Sequence, residues 1–270
     1  WRENGWEMKN LKIHHCNIHD TDGECLYLGY YDARSITGYN SAGQQVKFHA
    51  HLLRGVRVYR STFDNAAYDG VQINNSVETE VCYCDITRSG RERVGDQGLA
   101  FACILDGLIY NCRAVDCYGG FAGLRPLFTG IKFFNNIAVA ALNNGGIAFK
   151  IWKSDEPEYD LDGNGNNDEM YFEIYNNILK ATGIMTFNSD INFSKFIMSD
   201  NIFITEKPSA GLPGSFCGTG NIFLKKRDEY EEIDAYLKVA DSANYNYQPA
   251  YNSRLVSAGQ NALTPFDMRG

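Results

Sequence analysis

One run of the chain carries hard oxygen donors at regular spacing: Asp160, Asp162, Asn164, Asn166 and Asp168, with Gly163 and Gly165 among them. The pattern matches the first part of an EF-hand-type calcium loop, in which ~6–8 oxygens fold inwards around the ion. It departs at the last ligand, where Tyr171 replaces a bidentate glutamate and Glu169 or Glu173 has to substitute. The alternative is an acidic Asn/Gly turn that carries no metal. A second group consists of Asp22, Asp69 and Asp96, which recur ahead of short glycine-headed strands. Stacked ~4.8 Å apart, such carboxylates raise one another's pKa and form acid/base pairs. Alone, each caps its own turn. Lys150, followed by Trp152 and Lys153, and Arg125 are the cations that fall near them. His14, His15, His19, His49 and His51 gather early in the chain, with no third ligand identifiable for zinc.

Composition narrows the classes. The 270 residues are 44% hydrophobic, enough to bury a large core. A net charge of -8, with no Lys/Arg-rich run, speaks against nucleic acid as a partner. No apolar run is long enough for a transmembrane helix. The chain opens on Trp1 without a methionine or a signal peptide, which reads as a processed piece of a longer precursor. The 8 cysteines are too dilute for a disulfide-stapled miniprotein and lack zinc-finger spacing, so they read as buried thiols.

The elements that position these groups repeat. An apolar-x-apolar-x-x-small polar phrase recurs from Leu11-x-Ile13 to Phe216–Phe223. Its small polar position runs Cys16, Ser61, Cys84, Cys112, Asn136, Asn177, Asn201, Asn221. Most steps are roughly 20 to 28 residues, the length of one solenoid coil. A second phrase, glycine then a short strand, begins at Gly70, Gly98, Gly120, Gly146 and Gly183. Glycine suits a crowded corner, and only 6 prolines interrupt the strands. The predicted architecture is all-β: a single domain over 1–270, with about eight coils to residue 223 and a C-terminal cap and tail beyond. Residues 224–240 have helical spacing, which predicts a short capping helix.

The phrases IHHCNIHDTDGECLYLG, YDGVQI and IYNNILKATGIMTF resemble coils of the right-handed parallel β-helix, the pectate-lyase-like superfamily. The Cys/Ser-to-Asn column resembles that family's internal ladder. The resemblance implies a secreted, periplasmic or cell-surface bacterial protein, a monomer, acting on a polysaccharide. In lyases of this fold calcium neutralises a uronate carboxylate and a Lys or Arg removes the α-proton, roles that would fall to Lys150 or Arg125. The sequence lacks the Asn-Thr-Asp, Asp-Asp, Gly-His-Gly and Arg-Ile-Lys set of polygalacturonase-type hydrolases. It also lacks the Asp-Pro-His of mannuronan epimerases. The expectation is therefore a polysaccharide lyase or glycosidase, with a non-catalytic glycan-binding solenoid as the alternative. Insertions at residues 30–48, 88–97 and 153–169 are where coils depart from the template and where binding is expected. Glycine alignment places Leu26, Gln72, Ala100, Ala122, Ala148 and Met185 outward on the second strands, with Lys150 on the same face.

Overall fold

The computed structural model describes residues 7–30, 35–49, 51–92, 96–125, 130–140, 146–151, 170–187, 193–207, 220–225, 239–241 and 246–249. The repeated phrase becomes a 20-stranded sheet whose pairings are parallel. No α-helix occurs among the described residues. Each apolar-x-apolar pair forms a strand in one row: β2 (Lys12–His14), β8 (Arg57–Tyr59), the end of β10 (Val71–Cys82), the end of β12 (Leu99–Tyr110), β15 (Ile131–Phe134), β18 (Met170–Tyr175) and β20 (Phe193–Ser199). Alternate side chains of a strand face opposite sides. One column therefore faces inward, and in it Val58, Val81, Ile109, Phe133, Ile174 and Met198 are each 0% exposed.

A second row follows the small polar position: β3 (Asn17–Thr21), β9 (Thr62–Ala66), β11 (Asp85–Thr87), β13 (Arg113–Cys117), β16 (Ile137–Ala140), β19 (Ile178–Phe187), β21 (Ile202–Lys207) and β22 (Ile222–Lys225). A third row joins β4 (Leu26–Leu28), the starts of β10 and β12, β14 (Gly120–Arg125), β17 (Ile147–Ile151) and the end of β19. Strands pairing with the equivalent strand of the next repeat, row after row, are consistent with a β-solenoid.

The corner between the first two rows explains the repeat. The residue before each small polar position (His15, Arg60, Tyr83, Asn111, Asn135, Asn176 and Asp200) takes a left-handed φ between 50 and 56°. That conformation costs ~1–2 kcal/mol for a non-glycine residue. The next side chain offsets it by satisfying the backbone that the bend exposes. Asn177 Oδ1 accepts from the Asn136 N–H at 2.9 Å, and Asn201 Oδ1 accepts from the Asn177 N–H at 3.0 Å. Their Nδ2 groups donate to Phe133 O at 3.0 Å and Ile174 O at 2.8 Å. Ser61 and the thiols of Cys84 and Cys112 occupy the same position and donate to Tyr59, Cys82 and Tyr110 carbonyls. Cys16, Cys25, Cys82, Cys84, Cys112 and Cys117 are free thiols, as expected.

The third row requires glycine for steric reasons at more than one corner: a Cβ on Gly70 would lie 2.5 Å from Ile86 Cγ2 and 2.7 Å from Gly98 O, and Gly120 is tighter still. Gly120 has φ +125, and a Cβ there would lie 1.5 Å from Ile147 O. This residue also breaks the glycine alignment. Leu99 pairs with Ala122 and Gly120 pairs with Ile147, so Gly120 does not stand beside Gly98 or Gly146.

The insertion after the first repeat is an antiparallel hairpin, β5 (Ser35–Tyr39) and β6 (Gln45–His49). Asn40 Oδ1 closes its turn by accepting from the Ala42 and Gln44 N–H groups, each at 3.0 Å. At the expected capping helix, Ile222–Lys225 is strand β22 and Val239–Asp241 is β23, antiparallel to β24 (Asn246–Pro249). Both ends of that segment are thus extended; residues 226–238 lie outside the described residues.

Candidate functional site

The outward side of the third row carries the chemistry. Its register aligns Tyr27, Gln72, Ala100, Gly123, Lys150 and Thr186. Gln72, Ala100 and Lys150 face outward as expected. Leu26, Ala122 and Met185 do not; they align with Val71, Leu99 and Phe149 on the inner side. The expected apolar outer face came from three one-residue slips, in the first repeat, at Gly120 and at Gly183, and a one-residue slip exchanges the two faces of a strand. Ala100 and Gly123 leave a floor with almost no side chain, and the Lys150 stem projects beside it.

Asp69 and Asp96 belong to the turns that enter β10 and β12. Asp69 is 8% exposed, and its Oδ1 accepts from the Gln97 N–H at 2.6 Å. The Asp96 carbonyl accepts from the Gly119 N–H at 2.8 Å. The third insertion holds this corner. The Gly90, Arg91 and Glu92 N–H groups donate to the carbonyls of Tyr68, Ala66 and Ala67, and the Arg91 guanidinium donates to Thr21 O and Asn65 O. Lys150 is half-buried and feels both carboxylates. Burial pushes its pKa below the ordinary lysine value of 10.5, while Asp96 and Asp69 act the other way. Lys150, Asp96 and Asp69 therefore come together electrostatically.

Asp22 does not join them. Thr21 pairs with Ala66 and Leu26 with Val71, so the residue beside Asp69 is Glu24, and Asp22 is an exposed turn residue. The aspartate column breaks there on register alone: the two turns are equally long, and Asp22 falls opposite Ala67 rather than Asp69. Arg125 ends β14, paired through its backbone with Ala102. Its side chain lies outside the described residues. So do Trp152, Lys153 and the whole candidate calcium loop, Asp160, Asp162, Asn164, Asn166 and Asp168. Among the described residues no group of three or more His, Cys, Asp and Glu side chains has the geometry to hold a metal ion.

Asn74 adds a feature the residue pattern did not single out. It is 0% exposed and shares the outward parity of Gln72, whose Nε2 donates to Asn74 Oδ1 at 3.3 Å. The Asn74 Nδ2 has no hydrogen-bond partner among the described residues. Such a buried donor costs ~1–3 kcal/mol unless something accepts from it.

The outer aromatic side chains form a stack. Tyr110, Phe134 and Tyr175 lie in register on the first row, with ring centroids 4.9 and 5.0 Å apart and interplanar angles of 5° and 1°. Their faces are spent on one another, which leaves little open face for a sugar ring. The repeating signal, an aromatic after the second apolar position at Tyr59, Tyr110, Phe134 and Tyr175, is present in the sequence. No helix among the described residues is long and apolar enough to cross a membrane. Compared with known proteins, the chain matches no family model, no curated protein and no solved structure.

Proposed function

We propose that this chain is a carbohydrate-active right-handed parallel β-helix of the pectate-lyase-like type, with about eight coils, acting on an extracellular polysaccharide as a lyase or glycosidase. The observation that carries the reading is that Lys150 feels the charges of Asp96 and Asp69 beside the bare floor of Ala100 and Gly123. A lysine acts as a base only when deprotonated, and burial moves Lys150 in that direction. Two carboxylates supply an acid/base pair for glycosidic cleavage.

The local charge discriminates between the two reactions. Two aspartates against one lysine repel a bare uronate, so the lyase version needs a cation that neutralises the substrate. Asp160, Asp162, Asn164, Asn166 and Asp168 are the proposed calcium ligands. The glycosidase version needs no such ion. The non-catalytic alternative calls for open aromatic faces; those of Tyr110, Phe134 and Tyr175 are spent on one another, while Tyr27, Tyr39 and Tyr83 are exposed.

The test is incubation with uronate and neutral polysaccharides, following both unsaturated-product absorbance and new reducing ends. Lys150→Met and Asp69→Asn are each expected to lower turnover by ~100-fold or more. If native protein releases neither product from any polymer, catalysis is refuted and glycan binding alone remains. Chelation separates the reactions, because loss of cleavage with EDTA and with Asp160→Ala identifies the lyase. If Asp160→Ala leaves calcium-dependent thermal stability unchanged, the loop is not a calcium site.

A further inference from the structure

At the corner between β2 and β3, adjacent histidines meet. Neighbouring residues of an extended strand point to opposite sides. Here His15 takes the left-handed bend, φ 53, and its ring swings round to that of His14. The two Nδ1 atoms come within 2.9 Å, with ring centroids 5.2 Å apart and planes at 87°. The His14 ring is also fixed from the side, stacked on Tyr59 at 4.8 Å with an interplanar angle of 19°. Both side chains are exposed at the protein surface. With no ion between them, one Nδ1–H donates to the other nitrogen. With both rings in the other tautomer, two Nδ1 lone pairs face the gap between the rings.

We propose that His14 and His15 form a two-nitrogen chelate for a divalent transition-metal ion of square-planar or octahedral preference, Ni(II) or Cu(II). Metal–imidazole bonds are ~2.0–2.1 Å long. At the observed 2.9 Å separation they subtend about 90° at the metal. That is the cis angle of square-planar and octahedral ions, whereas tetrahedral zinc needs ~3.4 Å between its nitrogens. Calcium and magnesium prefer oxygen donors. Cys16 is not a third ligand, because its thiol donates to His14 O at 3.4 Å. His19 is engaged separately with Asp20 at 2.8 Å. Water fills the remaining coordination positions on the exposed side.

The proposal is independent of any catalytic role and is tested by calorimetric titration of the full chain with Ni(II). His14→Phe keeps the stacking on Tyr59, and His15→Asn keeps a residue that tolerates the left-handed bend. Thermal unfolding verifies that each variant is folded; His14→Gln replaces His14→Phe if that variant is not. The expected result is a tightest Ni(II) site of one ion per chain, weakened ~10-fold or more in either variant and unchanged in His19→Gln. Cu(II) paramagnetic resonance is expected to show nitrogen couplings that the double variant loses. Native-like Ni(II) affinity in His14→Phe or His15→Asn overturns the site. So does native protein that binds Ni(II) no more tightly than the double variant, which leaves a shared proton as the only occupant.

Discussion

Replacing Asn177 by alanine tests the internal ladder most directly. Asn177 is 1% exposed, and its side chain faces both ways along the solenoid. Its Oδ1 accepts from the Asn136 N–H at 2.9 Å and from Asn136 Nδ2 at 3.0 Å. Its Nδ2 lies 3.0 Å from both Phe133 O and Tyr175 O and 2.9 Å from Asn201 Oδ1. After truncation Asn136 Nδ2 still reaches Ile109 O, and Asn201 Oδ1 still accepts from the Asn177 N–H. The Asn136 N–H retains neither, and an orphaned buried donor costs ~1–3 kcal/mol. Adding the weakened carbonyl contacts gives a loss of ~3–5 kcal/mol. Ser61→Ala removes a single part-buried rung, the bond accepted from the Cys16 N–H at 3.1 Å, and is expected to cost ~1 kcal/mol. Asn177→Asp keeps the acceptors but sets a carboxylate against carbonyl oxygens, so it should be at least as damaging as alanine at neutral pH and recover partly in acid. Urea unfolding followed by circular dichroism measures all three as midpoint shifts at constant slope. An Asn177→Ala protein within ~1 kcal/mol of native, or no weaker than Ser61→Ala, refutes the ladder as a source of stability.

Gly120→Ala places a methyl 1.5 Å from Ile147 O in a left-handed backbone, and soluble expression of the folded protein is expected to collapse. Arg88→Ala should cost ~1 kcal/mol at neutral pH, because the Arg88 guanidinium and the Thr87 hydroxyl hold the Asp64 carboxyl below its ordinary value of 3.8. A depressed carboxyl stabilises above that value and loses its contribution as pH falls through the folded one. The gap between Arg88→Ala and native is therefore expected to close as pH falls below 3.8, read from unfolding midpoints at each pH. If Lys150 is the catalytic base, kcat/KM rises with pH to a limb below 10.5, and that limb is absent from the residual activity of Lys150→Met.

The ladder was legible residue by residue, from Cys16 to Asn221, because a side chain that bonds to the next repeat has to recur at the coil spacing. Left-handed residues ahead of it were harder to see. Arg60 and Tyr83 are not types that announce such a bend, and the rung that follows them imposes it. In the third row glycine misled, since Gly70, Gly98 and Gly120 look equivalent in sequence while only Gly120 faces the Ile147 carbonyl. The placement of Asp69 and Asp96 ahead of their strands and of Lys150 on the outward face was legible, because turn position and strand parity follow from the repeat. Asp22 stands apart because it lies three residues before Cys25, which takes the glycine position of the first repeat, whereas Asp69 immediately precedes Gly70. The meeting of His14 with His15 arises from one φ angle, which no spacing rule reveals.

The change of rung along the ladder has a mechanical consequence. From Cys84 to Cys112 the rungs are thiols, whose bonds to carbonyls span 3.4 to 3.6 Å. From Asn136 onwards they are amides that lock each repeat to the next at 2.9 to 3.1 Å. A load applied along the axis therefore meets a softer half and a stiffer half. Stretched between its ends, the protein should peel from the β2 side first, with the break halting where Cys112 N–H meets Asn136 Oδ1.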